Sequence, residues 1–305
     1  MIKVDAHAHL WLKQNTIVEG KAIRSLTGGR SEFMGEVRQM LPPSMIDGRN
    51  TAEVFLANMD YAGVSAAVLT QEYIDGPQND YLREVQQRYP RRFVASGLID
   101  ARRPGFLSSC EALMAQGFTL LKLPAARLIT AEGRISLTGD ELMSLFHLME
   151  KRGIILGIEL AEGDSQTAEM EEIVTECPAL RVVIGHFGMV NRPHWKEQIK
   201  LARHKGVMIE SGGITWLFHK EFYPYKGAVE AIKEAADSVG MEKLMWGSDY
   251  PRTAVAVTYR MTADFVTEST LLTQEEKELF MGKNAMSFFG FKGLKELPSI
   301  KNMSE

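Results

Sequence analysis

Apolar and polar positions along the chain follow two alternating rhythms. Short β-branched runs read as buried strands at Ile2–Ala6, Ser65–Leu69, Phe93–Leu98, Thr119–Leu123, Ile154–Glu159, Arg181–Ile184, Val207–Glu210 and Lys243–Trp246. Between them apolar residues return every three or four positions, which predicts helices over Thr51–Ala62, Asn79–Tyr89, Gly105–Ala115, Asp140–Lys151, Ser165–Glu176, Arg192–His204, Gly227–Val239 and Ala254–Thr267. Asp140 and Ser165 read as N-caps. Eight strand–helix units in series predict a parallel sheet, and eight is the number that closes a (β/α)8 TIM barrel. The expected architecture is therefore α/β, a single barrel domain over residues 1–291.

Two stretches stand outside that rhythm. Residues 12–50 form a long insert after the first strand, rich in Gly, Pro and charge and carrying Arg24, Arg30, Arg38 and Arg49. An insert at a strand's C-terminal end is expected over the barrel mouth, as a lid. The segment Gln274–Phe291 reads as two short helices packed on the outside, and residues 292–305 as a polar tail.

The composition narrows the class. The 305 residues are 45% hydrophobic and 24% charged, enough to fill a sizeable core. A net charge of −4 and a pI near 6.0 imply no basic face, so nucleic acid is not an expected partner. No apolar run is long enough to span a bilayer, and residues 1–11 lack the basic start and apolar run of a signal peptide. Cys110 and Cys177 are far apart and outside any CxxC spacing, which suits a reducing compartment. The expectation is a cytoplasmic protein acting on a small molecule. Seventeen methionines fit a homodimer interface or a soft core.

The candidate chemistry gathers at predicted strand ends, which converge on one cavity in a parallel barrel. His7 and His9 are two apart, so strand alternation points both to one face. Paired imidazoles can bind a divalent ion or polarise a carbonyl. Lys122 lies on the fourth strand with Arg127 soon after; Glu159 closes the fifth, Glu210 and Ser211 the seventh. The sixth runs into Gly185-His186-Phe187-Gly188 and the eighth into Gly247-Ser248-Asp249-Tyr250-Pro251-Arg252. Each has a plainer reading: His186 as a backbone-bonded core residue, Asp249 as the cap of a helix with Pro251 in its first turn, Glu210 as a structural acceptor. His147, His194, His204 and His219 fall on helices or loops and read as structural or surface residues.

With these motifs in view, the chain resembles the amidohydrolase superfamily, in the branch that holds amidohydrolase-related lactonases and aminocarboxymuconate semialdehyde decarboxylase. The resemblance is carried by Asp5-Ala6-His7-Ala8-His9-Leu10-Trp11, Gly117-Phe118-Thr119-Leu120-Leu121-Lys122-Leu123, Ile184-Gly185-His186-Phe187-Gly188, Leu244-Met245-Trp246-Gly247-Ser248-Asp249-Tyr250-Pro251 and Phe280-Met281-Gly282-Lys283-Asn284-Ala285. It implies a distorted barrel with hydrolysis or non-oxidative decarboxylation at its mouth. Trp11, the Trp-Gly-Ser-Asp run and Gln71 look more like the lactonases of sugar acids and dicarboxylic acids. Metal-binding members of the family close the fifth strand with histidine, where this chain has Glu159. Two outcomes follow: one divalent ion, Zn²⁺ or Mn²⁺, held by His7, His9, Glu159 and Asp249, or a metal-free site. A two-metal site bridged by carboxylated Lys122 is disfavoured, because only His186 of the additional histidines is present.

The expected mechanism makes Asp249 the general base on water and has His186 polarise the lactone carbonyl. Lys122, Arg127 and Arg252, with an arginine of the insert, are expected to bind an anionic or hydroxyl-rich substrate. The alternatives are a decarboxylase of an unsaturated or aromatic acid and, from another class, a non-catalytic binding barrel.

Overall fold

The computed structural model describes every residue except 299, 302, 304 and 305. Strand β1 (Lys3–His9) is followed by a meander of β2 (Asn15–Val18), β3 (Lys21–Ser25), β4 (Arg30–Phe33) and β5 (Glu36–Gln39). Helices and strands then alternate: α1 (Ala52–Ala62), β6 (Val64–Thr70), α2 (Asn79–Arg88), β7 (Phe93–Leu98), α3 (Phe106–Ala115) and β8 (Leu120–Leu123). A hairpin of β9 (Ile129–Thr130) and β10 (Gly133–Arg134) precedes α4 (Asp140–Arg152), β11 (Ile155–Ile158), α5 (Thr167–Glu176), β12 (Val182–Ile184), α6 (Trp195–Lys200) and β13 (Val207–Glu210). The remainder is α7 (Ile214–Leu217), α8 (Lys226–Val239), β14 (Leu244–Met245), α9 (Met261–Thr267), α10 (Gln274–Glu278) and α11 (Asn284–Phe289).

Strands β1, β6, β7, β8, β11, β12, β13 and β14 pair in parallel in that order. The ring closes where the Ala6 N–H donates to the Trp246 carbonyl at 2.9 Å and the His9 N–H to the Tyr250 carbonyl at 2.7 Å. This is the expected (β/α)8 barrel. Local details differ from the sequence reading. Gly139 and Gln166, not Asp140 and Ser165, occupy the N-cap positions of α4 and α5. The stretch after β14 is irregular as far as a short turn at Thr253–Val255, and its helix starts only at Met261.

The tail is the larger difference. Helix α11 does not simply pack outside: Ala285 and Phe289 join Val4, Ala6, Val68, Leu120, Ile155 and Met245 in the cluster that fills the barrel interior. The strands present small side chains such as Ala6 and Ala66 there, and the Phe289 ring takes the volume they leave. The Asn284 amide holds the helix in place by donating to the Met241 and Leu244 carbonyls at 2.8 and 2.7 Å.

The insert is a four-stranded antiparallel sheet rather than a loop. Glu19 and Gly20, both with positive φ (51° and 72°), turn its first hairpin. Val18 and Ile23 are buried into the main core. Gln14 ties the sheet to the segment after β6 by donating to the Ile74 carbonyl at 3.0 Å. Three of its arginines are engaged inside the insert: Arg24 pairs with Glu32, Arg38 with Glu36, and Arg30 donates to the Thr27 carbonyl. Among the described residues, no helix is long and apolar enough to cross a membrane.

Candidate active site

A bulge in β1 aims the histidines. Val4 and Ala6 face the interior cluster. Continued alternation would send His7 and His9 outward to the helices. Between Asp5 and Ala8 the pairing with β6 slips, three steps on β1 spanning two on its partner (Asp5 opposite Ala67, Ala8 opposite Leu69). The extra residue is a β-bulge, which flips the remainder of the strand. His7 and His9 thereby enter the mouth, with ring centroids 4.9 Å apart.

Each ring is fixed by a buried carboxylate. His7 Nδ1 lies 2.6 Å from Glu210 Oε1, and His9 Nδ1 lies 2.8 Å from Asp75 Oδ2. Ionised carboxylates only accept, so both Nδ1 atoms carry protons and both Nε2 lone pairs point inward. Those Nε2 atoms are 2.9 Å apart, with Asp249 Oδ1 at 3.2 Å from His9 and 3.7 Å from His7. Three acceptors facing one another at such distances repel unless a cation stands between them. The donor set therefore fits a divalent metal, with two nitrogens, one anionic oxygen and outer carboxylates in place. Burial, although Glu210 opposes it, holds His7 down at about 4, so the ring stays neutral near pH 7.

Asp249 sits at the end of β14 with φ of 55°, an uncommon conformation for a non-glycine residue. It is not a helix cap. Its N–H donates to the His7 carbonyl at 2.9 Å, while Trp216 Nε1 donates to its Oδ2 at 3.2 Å. Arg252 bonds both Asp75 and Asp249, the latter at 3.3 Å. Burial alone would raise the Asp249 pKa, but the Arg252 charge beside it holds it below the usual carboxylate range. Asp5 anchors this turn from beneath: it accepts from Ser248 N–H at 2.9 Å, Ser248 Oγ at 2.5 Å and Tyr259 OH at 3.0 Å.

Glu210 is enclosed by glycines from three neighbouring strand ends. A Cβ on Gly185 would stand 2.7 Å from Glu210 Oε1; one on Gly212, 2.7 Å from His7 Nδ1; one on Gly247, 2.7 Å from both Glu210 Oε2 and His7 Cβ. These glycines leave room for the His7–Glu210 pair.

His186 faces the histidine pair from β12. It and Phe187 have φ of 60° and 52°, strained for bulky residues. Its Nδ1 donates to the Gly212 carbonyl at 2.9 Å, and its Nε2 faces Glu159 Oε1 at 3.6 Å. Burial works against its charge, but Glu159, Asp249 and Glu210 together push its pKa up to about 10. These carboxylates favour the protonated ring.

The structure brings together three of the four expected metal ligands. Glu159 is the exception. At the mouth, the group whose donor atoms all lie within 4.8 Å of one another is His7, His9 and Asp249. Glu159 turns instead toward His186 and toward Lys122 Nζ at 3.9 Å, attractions that hold it well below the usual carboxylate range despite burial. Lys122 is also placed differently from expectation. It is 3% exposed, 3.3 Å from Glu72, and lines the barrel interior with His7 and Phe289. It neutralises Glu72 and Glu159 rather than reaching into the open cleft. Arg252 is likewise committed to carboxylates. Arg127 stands at the rim, 31% exposed and 3.6 Å from Glu19 of the insert.

The mouth itself is a cleft of about 410 Å³ bounded by Glu72, Arg127, Glu159, His186, Met189, Trp216, Asp249 and Arg252. Sequence reasoning missed Glu72, Asp75 and Trp216. The first two had a signal, since the polar run Gln71-Glu72-Tyr73-Ile74-Asp75 directly follows β6. Trp216 had none, because a tryptophan on a short helix reads as core.

A protein-family model described as Amidohydrolase matches residues 4–291. No curated protein matches the chain in sequence. Among solved structures, a probable 2-pyrone-4,6-dicarboxylic acid hydrolase from Acinetobacter baumannii, with citric acid bound, superposes with a TM-score of 0.68 at 20% identity, covering 95% of this chain and 100% of that one. A zinc-bound amidohydrolase from Burkholderia multivorans gives 0.69 at 15% identity, with 95% and 99% covered. A 2,6-dihydroxybenzoate decarboxylase from Rhizobium gives 0.60 at 14%, with 80% and 90% covered. At these identities the likeness establishes the shared fold.

Proposed function

The chain belongs to the amidohydrolase family and is an enzyme, and from that premise we propose that it hydrolyses a small anionic or polyhydroxylated lactone, that of a sugar acid or a dicarboxylic acid. The observation that carries the reading is that Asp249 and His186 line one cleft, with Arg252 beside the carboxylate and Glu159 facing the imidazole. Lactone opening needs both: a proton acceptor for the attacking water and a positive group where negative charge grows on the carbonyl oxygen.

Asp249 takes the proton of the attacking water, and Trp216 and Arg252 fix its lone pairs. His186 donates toward the carbonyl oxygen as it becomes tetrahedral, with Glu159 keeping the ring charged. On collapse Asp249 returns its proton to the leaving alkoxide. His7, His9 and Asp249 would hold one divalent ion, Zn²⁺ or Mn²⁺ by their mixed nitrogen–oxygen character, and such an ion supplies Lewis-acid polarisation and a more acidic water. Arg127 at the rim takes a substrate carboxylate, and the Arg252 Nε, buried without a protein acceptor, is a second donor for the bound molecule.

The test is a pH-indicator assay against aldonolactones and dicarboxylate lactones, 2-pyrone-4,6-dicarboxylate among them. One proton per turnover is expected. Asp249→Asn should lower kcat/KM by about 10²–10⁴-fold. A variant within about threefold of the parent overturns the assignment of the base. Release of CO₂ without net hydrolysis would move the enzyme to the decarboxylases.

A further inference from the structure

A second convergent donor set lies far from the mouth, on the outer layer of helices. Cys177, at the C-terminal end of α5, is 1% exposed. Its Sγ is 3.4 Å from Nδ1 of His147 on the neighbouring α4. The Glu150 carboxylate, one turn along α4, completes a group whose donor atoms all lie within 4.8 Å of one another.

Three features make this more than a chance contact. First, the His147 tautomer is set from outside: Nε2 lies 2.8 Å from Glu176 Oε1, which can only accept, so the proton sits on Nε2 and the Nδ1 lone pair faces the sulfur. This is the carboxylate–histidine arrangement that orients metal ligands. Second, zinc bonds of about 2.3 Å to sulfur and about 2.0 Å to nitrogen, at the tetrahedral angle, set the two donors about 3.5 Å apart. The observed spacing matches. Third, Glu150 Oε1 is steadied by the Ala179 N–H at 2.7 Å, which leaves its other oxygen for a ligand.

We propose that Cys177, His147 and Glu150 form a peripheral site for a zinc-class divalent cation, with Glu176 as the positioning residue behind His147 and water in the fourth place. The ion displaces the thiol proton to solvent and forms a sulfur–metal bond, without any redox change. It would clamp the C-terminal end of α5 to α4 and stabilise the folded state in proportion to its free concentration.

Cobalt(II) titration of the whole protein reads this site alone. The mouth offers only nitrogen and oxygen donors, whereas a thiolate ligand gives an intense near-ultraviolet charge-transfer band. Because the mouth can also take Co²⁺, the band should appear and saturate by about two equivalents, and excess Zn²⁺ should bleach it by displacing Co²⁺ from the thiolate. Cys177→Ser should abolish it, and Cys110→Ser should leave it intact. His147→Ala, Glu150→Gln and Glu176→Gln alter less buried side chains and remain informative if Cys177→Ser fails to fold; each should shift the titration midpoint by about tenfold or more. No band in excess Co²⁺, a band that survives Cys177→Ser, or midpoints unchanged in all three of the other variants overturns the proposal.

Discussion

The mouth and the floor of the barrel are built on opposite principles. At the mouth, His7, His9, Lys122, His186, Glu210 and Asp249 are all 9% exposed or less, and each charge is partnered by another. Burying such groups is costly, and their mutual attraction only offsets the loss of water. The backbone is strained there as well, with His186, Phe187 and Asp249 in the left-handed region. At the floor, by contrast, Ala285 and Phe289 pack against the apolar side chains Val4, Ala6, Val68, Leu120, Ile155 and Met245, and Phe289 meets the charged layer of His7, Lys122 and Glu210 on one side only. The difference teaches where the molecule keeps its stability. The floor holds the barrel shut so that the mouth can carry charge and strain.

Four substitutions can break or sharpen that contrast. The largest effect belongs to Asp249→Asn, whose rate loss should come with a melting temperature close to the parent's, measured by scanning calorimetry. The mirror image is Phe289→Ala, which should lower unfolding free energy by about 3–5 kcal/mol in denaturant titration while kcat per folded molecule is kept. If it loses activity as steeply as stability, the two ends are coupled and the division fails. A smaller effect is expected of Glu210→Gln, which keeps the shape but removes the charge behind His7. It should weaken metal retention at the mouth by about 10–100-fold in a chelator competition. Smallest is Arg127→Met at the exposed rim: KM for an anionic lactone should rise by about tenfold, roughly 1.4 kcal/mol, with kcat unchanged. A fall in kcat alone would place Arg127 in the chemistry instead.

Much of the barrel was legible in the order of residues. Each of its eight strands appears within a few residues of its expected span, because a buried parallel strand is an apolar run that needs no partner to be recognised. The insert was less legible: its polar, charge-rich strands bury only a few residues, Val18, Ile23 and Ser31, and carry cross-strand pairs such as Arg24–Glu32. Glu159 shows the limit most clearly. Its position at the end of β11 was plain, but whether it turned to the histidine pair or to Lys122 and His186 depended on charges from other strands.

By itself, the sequence determined which reactive side chains stand at strand ends: His7 and His9, His186, Asp249. That much follows from local periodicity, which reads only a few residues ahead. The tertiary structure alone decided the bulge that turns the histidines inward, the Glu210 and Asp75 carboxylates that orient them, the direction of Glu159 and the Phe289 plug. These depend on pairings such as His7 with Glu210, 203 positions apart, and Asp5 with Ser248, 243 apart. Attraction between charges acts through space, and no pattern along the chain records which distant group will arrive to meet it.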